Sequence, residues 1–324
     1  MNKKVLILMA TYNGESYLKE QLDSILTQTY DNWELWIQDD GSQDRTIDII
    51  ENYQKVENRI FLLRNQAAYH GAFLNFFTLI SRVRESTEAD YYCFVDQDDV
   101  WEVNKLEVLT EYLQEKERQQ GVDTPIMCYS DMSLIDGNGV KIADSLNREV
   151  NNELKNAYQI FYMHNYIWGC ATILNHSLFN NVPIYDLSQQ VTVSHDNYFA
   201  KYAICFGKLY FVDEQLVRYR RHGNNVSGLP TRRIALSRIK EGYSELAKRH
   251  AYIYSQTLLF TEQFKSKSDK SAVDLKGIEL SLRKGGVKGC LYMKKHNISH
   301  QSLAKKVALY LVVLLKSYKK YLSV

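Results

Sequence analysis

The 324-residue sequence predicts an α/β fold, a mostly parallel sheet flanked by helices, followed by a helical C-terminal region. Up to residue 95, short apolar runs alternate with polar turns and helical patterns at intervals of roughly 30 residues, the order of parallel strands and crossover helices. From Leu229 onward the pattern is mainly helical and rich in lysine. We therefore predict a sheet domain over residues 1–228 and a basic helical region over residues 229–324.

Short apolar runs define the predicted strands, and apolar residues at helical spacing define the helices between them. The strands of the first part are Val5–Ala10, Glu34–Gln38, Ile60–Leu63 and Tyr91–Val95, and its helices cover Tyr17–Leu26, Ile47–Tyr53 and Ala72–Val83. Parallel sheets bind ligands beyond the carboxyl ends of their strands. The polar residues that follow these strands therefore predict one shared site.

The second part of the sheet domain has a less regular pattern. It predicts a charged helix over Glu102–Gln119, strands at Met127–Ile135 and Ala171–Leu174, a helix from Ser194 to about Ile204, and a short antiparallel pair formed by Leu209–Val212 and Gln215–Tyr219.

The composition, 45% hydrophobic and 24% charged residues with no apolar run long enough to cross a bilayer, is typical of a soluble globular protein. The apolar run at the start is too short for a signal peptide and predicts a strand. The five cysteines have neither zinc nor redox spacing, which indicates core residues in a reducing cytoplasm.

Charge divides the chain into an acidic body and a basic tail. Residues 1–228 hold 20 Lys and Arg against 32 Asp and Glu, a net charge of −12, and residues 229–324 hold 20 against 6, a net charge of +14. This asymmetry is typical of an enzyme that works at a negatively charged surface.

Three carboxylates follow the strand Tyr91–Val95, namely Asp96, Asp98 and Asp99. Acids this close repel one another, and Mg²⁺ or Mn²⁺ would neutralise them and bring phosphate oxygens. A solvated loop in which Asp98 or Asp99 caps the next helix is the alternative. The polar residues after the first two strands fall at the same predicted edge, which favours the shared site.

Five motifs in order resemble those of the family 2 glycosyltransferases over about residues 3–228. They are Ala-Thr-Tyr-Asn-Gly at 10–14, Gln-Asp-Asp-Gly-Ser at 38–42, Asp-Gln-Asp-Asp at 96–99, His-Asp at 195–196 and Arg-His-Gly-Asn-Asn at 221–225. The resemblance implies the GT-A fold, a Rossmann-like domain that binds a nucleotide sugar. The last two motifs resemble, more narrowly, bacterial rhamnosyltransferases that build cell-wall or capsular polysaccharide.

The resemblance implies a donor site at the ends of the first two strands. Asp40, and next to it Asp39, is similar to the residue that accepts the imide N–H of uracil or thymine. Tyr12, between Thr11 and Asn13, is similar to the residue that packs on the base. Two alternatives stay open: Asp39 as a cap of the following helix, and Tyr12 as a half-buried core residue.

The segment Asp96-Gln97-Asp98 is similar to the DXD motif of the family. By this resemblance Asp98 holds the divalent cation that bridges the diphosphate, and Asp96 faces the ribose or the metal. Gln97 belongs to the same nucleotide-sugar site, and Asp99 helps to position the donor sugar. A diphosphate leaving group develops charge, and a divalent ion stabilises that charge without proton transfer.

The late motifs imply the remaining roles. His222 is similar to the histidine that completes metal or diphosphate binding, and Arg221 offers paired donors to phosphate. Asp196 is similar to the base that takes the proton of the acceptor hydroxyl during inversion, although it or Ser194 also suits a helix cap. His195 and Trp168 are candidates for the acceptor site, and core packing suits Trp168 equally well.

The loop Asn65–Gly71 departs from the family pattern because it lacks the basic residue and glycine spacing of many relatives, so Arg64 or His70 is the candidate replacement. In the tail, Leu303, Val307, Leu311, Leu314 and Tyr318 share one face of a helix whose other face carries lysines. This helix suits an anionic membrane surface, and packing on the body or on a second subunit is the equal alternative.

Together these features predict a metal-dependent, inverting glycosyltransferase, cytoplasmic and peripheral on the inner face of the cell membrane. The resemblance implies dTDP-L-rhamnose as donor and a lipid-linked glycan as acceptor, with a UDP-hexose as the alternative donor. A non-catalytic sugar-nucleotide-binding or scaffold subunit is the alternative from another class. No nucleic-acid motif accompanies the basic tail, and a homo-oligomer stays open.

Overall fold

The structure is a computed structural model of the chain and describes residues 2–150, 154–163, 167–189, 191–223, 242–300 and 302–324. The predicted boundary between residues 228 and 229 lies outside these ranges, as do Asn224 and Asn225 of the last motif. The predicted domain division therefore stays a prediction.

The first part of the chain forms four parallel strands joined by helices, as predicted. The strands are β1 Val5–Thr11, β2 Trp33–Asp39, β3 Ile60–Arg64 and β4 Tyr91–Val95, and the helices are α1 Leu18–Leu26, α2 Thr46–Gln54 and α3 Ala72–Ser86. Neighbouring strands lie in the order β3-β2-β1-β4. Side chains of β1 and β4 are buried on both faces, which explains why these strands are apolar without alternation.

The second part extends the same sheet with both strand directions. Its elements are β5 Val100–Trp101, α4 Lys105–Gln120, β6 Ile126–Asp136, β7 Lys141–Ala143, α5 Leu146–Val150, β8 Thr172–Asn175, α6 His176–Asn181, α7 His195–Phe206 and β9 Lys208–Arg221. The order along the described sheet is β3-β2-β1-β4-β8-β6-β9-β5, with β7 on β6. β8 is antiparallel to β4 and β6, whereas β9 runs parallel to β6.

The prediction of an antiparallel pair over residues 209–219 is wrong. Both predicted strands belong to the single strand β9, which lies beside β6 along its whole length. The register shifts where Ser130 pairs with Val212 and Asp131 with Gln215, so the exposed Asp213 and Glu214 bulge out of the ladder. Two acids between apolar runs resemble a hairpin turn in sequence, but here they mark a bulge.

Apolar residues cover the sheet on both faces. Leu6 and Leu8 of β1 face one cluster, which also contains residues of α3 and α7, and Val5 and Ile7 face the other, which contains residues of α1 and α4. The strand period of two thus sends alternate residues of β1 to opposite layers. Four of the five cysteines are buried, as predicted for core residues, and Cys290 is partly buried.

The C-terminal region is helical, as predicted, and it packs into the first of these clusters. Its helices are α8 Tyr243–Gln263, α9 Leu275–Lys284, α10 Gly286–Lys295 and α11 Leu303–Leu314. The Tyr198 hydroxyl of α7 donates to Gln263 Oε1 at 2.8 Å, and Thr257 Oγ1 of α8 donates to the Phe161 carbonyl at 2.8 Å. None of the described helices combines the length and apolar character that a bilayer crossing requires.

Candidate active site

Three parallel strands end at neighbouring positions on one edge of the sheet. Thr11 of β1 pairs with Asp39 of β2, and Met9 of β1 pairs with Val95, the last residue of β4. The loops that follow these strands therefore meet. This topology brings the first three motifs to one edge of the sheet, as predicted.

Asp39 holds the loop that follows β2. Its buried carboxylate accepts hydrogen bonds from Thr11 Oγ1 at 3.0 Å, from the Gly41 N–H at 3.0 Å and from the Ser42 N–H at 2.9 Å. The alternative role as a cap of α2 is not what the structure shows, because Asp44 accepts from the Thr46 N–H at 3.0 Å instead.

Asp40 is enclosed by the loop that departs from the family pattern. Its Oδ1 lies 2.6 Å from Asn65 Nδ2 and 2.8 Å from His70 Nδ1, and its Oδ2 accepts from the Gly71 N–H at 2.7 Å. His70 and its neighbours therefore orient a carboxylate in this structure. A carboxylate has about four acceptor positions, so three hydrogen bonds leave one for a ligand.

Gln97 connects the loops after β1 and β4. Its Oε1 accepts from the Tyr12 N–H at 2.9 Å, and its Nε2 donates to the Tyr12 carbonyl at 3.0 Å. The Tyr12 side chain is 54% exposed, so it is not a core residue, and its ring is free for stacking. Asn13, at a φ of 47°, accepts from the Gln43 N–H at 2.8 Å through Oδ1.

The three acids after β4 lie in different surroundings. Asp98 Oδ2 is 2.7 Å from His222 Nε2, so the structure joins the two predicted metal ligands. Burial, and then the charges of Asp98 and Asp196, raise the pKa of the half-buried Asp96 carboxyl to about 7. Asp99 is fully buried, and its burial raises the pKa of that carboxyl well above its usual range.

Two buried groups near these acids, the Lys105 amine and the Cys170 thiol, were not predicted from the sequence to belong to the site. Lys105 is fully buried, with its Nζ 2.5 Å from the Cys170 carbonyl and 3.3 Å from the centre of the Trp101 ring. One ligand atom each of Asp96, Asp99 and Cys170 lies within 4.8 Å of the others. Burial lowers the pKa of Lys105 to about 8, an effect that nearby thiol and carboxyl groups oppose.

Arg220 is the third support that sequence reasoning missed. This fully buried residue forms an ion pair with Glu20 and donates from Nε to the Asp98 carbonyl at 2.8 Å. Its backbone N–H donates to Asp99 Oδ1 at 2.9 Å, and its guanidinium lies 4.8 Å from the centre of the Tyr17 ring. Arg220 therefore anchors the acidic loop from β9. The following residue, Arg221, is half-buried at the end of the strand.

Asp196 lies in the first turn of α7, almost buried. Its Oδ2 accepts from the Gly169 N–H at 3.1 Å, and its Oδ1 accepts from the Asn197 N–H at 2.6 Å. Ser194 occupies the cap position without a side-chain cap bond. Gly169, which donates to Asp196, precedes Cys170, whose Sγ lies within 4.8 Å of a carboxylate oxygen of Asp96, so the fourth motif lies near the third.

His195 and Trp168 flank this carboxylate. The buried His195 ring lies between Phe76 at 3.9 Å and Phe94 at 4.5 Å, measured between ring centres, and burial lowers its pKa to about 4. Neither ring nitrogen has a hydrogen-bond partner among the described residues. A Cβ on Gly169 would lie 2.6 Å from His195 Nε2, so a glycine is needed there. Trp168 is half-buried.

The residues present suit a hard divalent cation. Carboxylate oxygens with one imidazole nitrogen are a donor set that Mg²⁺ and Mn²⁺ accept. Asp99 Oδ2 is buried and has no hydrogen-bond partner among the described residues, as expected where a further charge belongs nearby.

A Rossmann-like sheet with an acidic cluster at its carboxyl edge is the arrangement expected of a nucleotide-sugar transferase. Residues 6–180 match the family model described as Glycosyl transferase family 2, which covers more than half of the chain. The chain therefore belongs to glycosyl transferase family 2, and the predicted family is confirmed.

Curated relatives agree with this assignment. An uncharacterized glycosyltransferase of Rickettsia prowazekii is 26% identical over 243 residues, 75% of this chain and 70% of that protein. The dTDP-rhamnosyl transferase RfbG of Shigella flexneri is 41% identical over 99 residues, 30% of this chain and 34% of that protein. The putative teichuronic acid biosynthesis glycosyltransferase TuaG of Bacillus subtilis is 30% identical over 112 residues, 35% of this chain and 42% of that protein.

Solved structures confirm the predicted GT-A-like fold. TarS 1–349 of S. aureus matches with a TM-score of 0.56 at 14% identity, over 98% of this chain and 83% of that chain. A second TarS structure, in complex with UDP-GlcNAc, has a TM-score of 0.52 at 15% identity, over 98% and 92%. The mannosyltransferase PcManGT of Pyrobaculum calidifontis, in complex with GDP-Man and Mn²⁺, has a TM-score of 0.51 at 12% identity, over 99% and 87%.

Proposed function

We propose that this protein is an inverting, metal-dependent glycosyltransferase that moves a sugar from a nucleotide-sugar donor to an acceptor hydroxyl. One observation carries the proposal: Asp98 and His222 are in contact at the edge of the sheet where Gly169 and Cys170 contact Asp196 and Asp96 in turn. In-line displacement of a nucleoside diphosphate needs a metal ion that stabilises the leaving group and a base that takes the proton of the acceptor hydroxyl. The metal ligands and the Asp196 carboxylate would supply these two parts.

Asp98, His222 and Asp96 would hold Mg²⁺ or Mn²⁺. When bound, the ion supplies positive charge against the diphosphate leaving group. Lys105 lies below the acids and Arg220 fixes their loop, so the ligands are positioned before the ion arrives.

The donor would lie over the loops after β1 and β2. Tyr12 stacks on the base, and Thr11 and Asn13 shape the loop that presents it. Asp40 accepts the imide N–H through its remaining acceptor position, while Asp39 holds the loop. The UDP-GlcNAc and GDP-Man complexes of proteins with the same fold support a nucleotide-sugar donor.

The other proposed site residues act on phosphate, sugar and acceptor. Gln97 holds the base-binding loop against the acids. Arg221, the last residue of β9, would donate to the phosphates. Asp99 is fully buried and accepts from the Arg220 N–H, so it would act on the donor sugar only through the loop that it holds. Trp168, which is half-buried, would line the side where Asp196 meets the acceptor. The buried His195 instead packs between Phe76 and Phe94 and supports α7.

For the donor we propose dTDP-L-rhamnose, and for the acceptor a lipid-linked precursor of a cell-surface polysaccharide. The identity to RfbG, 41% over 99 residues, supports the donor, and the teichuronic acid role in the name of TuaG supports polysaccharide synthesis. A UDP-hexose is the second candidate, because a carboxylate at Asp40 binds uracil and thymine alike. Release of dTDP or UDP, measured with each donor in turn, distinguishes them.

Asp196→Asn tests the mechanism. The amide preserves the shape of the side chain and its one oxygen keeps one of the two N–H contacts, to Gly169 or to Asn197, but it cannot take a proton from the acceptor. We expect kcat to fall by about 1,000-fold or more while nucleotide affinity stays nearly unchanged, as measured by nucleotide release and calorimetry.

Asp213→Asn is the matched control, because Asp213 is an exposed carboxylate on the β9 bulge. This substitution should leave both kcat and nucleotide affinity unchanged. Full activity of Asp196→Asn would remove this residue from the mechanism. Absence of metal-dependent turnover in the wild-type protein with every donor would favour the non-catalytic alternative.

A further inference from the structure

Helix α11 has two apolar faces, and only one of them is covered. Leu309, Val312 and Val313 are buried against the neighbouring helices. The other face keeps side chains that are 41 to 75% exposed, namely Leu303, Val307, Leu311 and Leu314. The prediction that Tyr318 shares this face is wrong, because the helix ends at Leu314 and Tyr318 is fully buried in the turn that follows. Packing on the body and an exposed apolar stripe therefore coexist in one helix.

The exposed apolar surface continues onto α10. Val287 and Leu291, one turn apart on that helix, are each more than 60% exposed. A cleft of about 510 Å³ joins the two helices, and its lining includes Val287 and Leu314. Val287 and Leu314 thus meet at one cleft, and we call the exposed apolar residues of the two helices the α10–α11 face.

Lysines surround this face. Lys284, Lys288 and Lys316 line the cleft between the two helices. A Cβ on Gly286 would lie 2.9 Å from Lys316 Cε, so the glycine lets this lysine lie across the start of α10. Residues 280–324 contain ten Lys or Arg and no Asp or Glu. The sequence around the face is therefore uniformly cationic.

We propose that the α10–α11 face binds the surface of an anionic membrane. An amphipathic helix with lysines beside exposed leucine and valine lies in the headgroup layer, where its apolar side chains enter the acyl boundary and its lysines meet phosphates. Helix α11 has 12 residues, short of the roughly 20 that crossing requires, so it lies on the membrane and does not span it.

Charge distinguishes this occupant from a second copy of the chain. A twofold interface would place the same patch against itself and bring its lysines together without acidic partners from residues 280–324. Anionic lipid complements both the face and the lysines around it, because phosphates meet the lysines and acyl chains meet the exposed apolar residues. This inference is independent of the proposed function.

Vesicle sedimentation of the full chain tests the proposal. We expect the protein to bind vesicles of phosphatidylcholine mixed with phosphatidylglycerol, to ignore phosphatidylcholine alone, and to be released by high salt. Replacing Lys284, Lys288 and Lys316 together with glutamine should weaken binding by roughly 100-fold. The double variant Val307→Ser and Leu311→Ser should weaken it too, by removing apolar contacts.

A matched control removes three exposed lysines elsewhere in the C-terminal region, by replacing Lys265, Lys267 and Lys270 with glutamine. It should lose much less affinity than the cleft variant. Circular dichroism checks that every variant is folded. Equal loss in the control and cleft variants, or no binding by the wild type, would overturn the proposal. So would a wild-type dimer that Val307→Ser and Leu311→Ser dissociate without any effect on vesicles.

Discussion

Asp98 and His222 are 124 positions apart in the chain, yet their side chains are 2.7 Å apart. If both ligate the cation, His222→Gln removes one ligand and should lower Mn²⁺ affinity by about 10- to 100-fold. Calorimetry with Mn²⁺ in the presence of nucleotide measures this change. Transfer activity should recover in part at higher Mn²⁺ concentration.

His176→Gln is the control, because His176 contacts the Ala89 carbonyl at 3.0 Å, near the opposite end of β4. Its Mn²⁺ affinity should equal that of the wild type. Unchanged Mn²⁺ affinity in His222→Gln would show that the contact with Asp98 is structural only.

Single residues also show where sequence reasoning reaches its limit. Asp40 and Asp98 could be predicted because motif and strand end coincide. Lys105 and Arg220 could not be assigned as buried supports, since lysine and arginine are ordinarily exposed. The groups that they contact, the Cys170 carbonyl for Lys105 and the carboxylates of Glu20 and Asp99 for Arg220, are distant in the chain. The hydrogen bonds from Asn65 and His70 to Asp40 could not be predicted from the sequence either, because they depend on how the loop 65–71 folds back over the strand end.

Between elements, the loops after β1 and β4 are joined through one side-chain amide. Gln97 exchanges two hydrogen bonds with Tyr12, and it fits only because Gly14 has no side chain: a Cβ there would lie 2.4 Å from Gln97 Oε1. Gly14→Ala should therefore reduce stability by about 1–3 kcal/mol. Urea unfolding measures the change.

A double-mutant cycle isolates the cause. The three atoms nearest to a Cβ at position 14 all belong to the Gln97 amide, so in the Gln97→Ala background the cost of the alanine should shrink by at least about 0.5 kcal/mol. Additive effects of the two substitutions would mean that Gly14 matters for a reason other than Gln97. The same variants should weaken nucleotide binding, because both disturb the loop that carries Tyr12.

Among the elements, strand existence was easier to predict than strand pairing. The four parallel strands follow from apolar runs that local pattern detects, and β1 and β4 appear near their predicted positions. The error at residues 209–219 arose because a bulge and a turn look alike until the partner strand is known. The pairing of β9 with β6 is a long-range property that local periodicity does not encode.

At the scale of the whole molecule, the C-terminal helices pack over α7 and bury the amine of a lysine there. Lys201 of α7 is buried with its Nζ 3.3 Å from Thr257 Oγ1 of α8, and burial lowers its pKa from 10.5 to about 7. Between these two values the unfolded chain binds a proton that the folded protein lacks. Stability should therefore rise with pH across this window and fall as the pH drops toward 7.

Lys201→Met should reduce this pH dependence and stabilise the protein near neutral pH by about 2 kcal/mol, because the desolvation of an amine is avoided. The buried Lys105, whose pKa is also lowered, keeps its own contribution. Urea unfolding at roughly pH 7.5 and pH 9.5 measures both effects. Lys265→Met, at an exposed position, should change neither. An unchanged pH slope in Lys201→Met would show that the burial of this amine does not set it.

The two halves of the proposed donor site rest on separate supports. The base-binding carboxylate of Asp40 depends on the loop 65–71, whereas the acidic loop depends on Arg220, which also reaches Glu20 and the Asp136 carbonyl. The two supports thus act on different carboxylates, Asp40 on one side and Asp99 on the other. Nucleobase preference can therefore diverge among descendants of this enzyme while the diphosphate end of the pocket keeps its geometry.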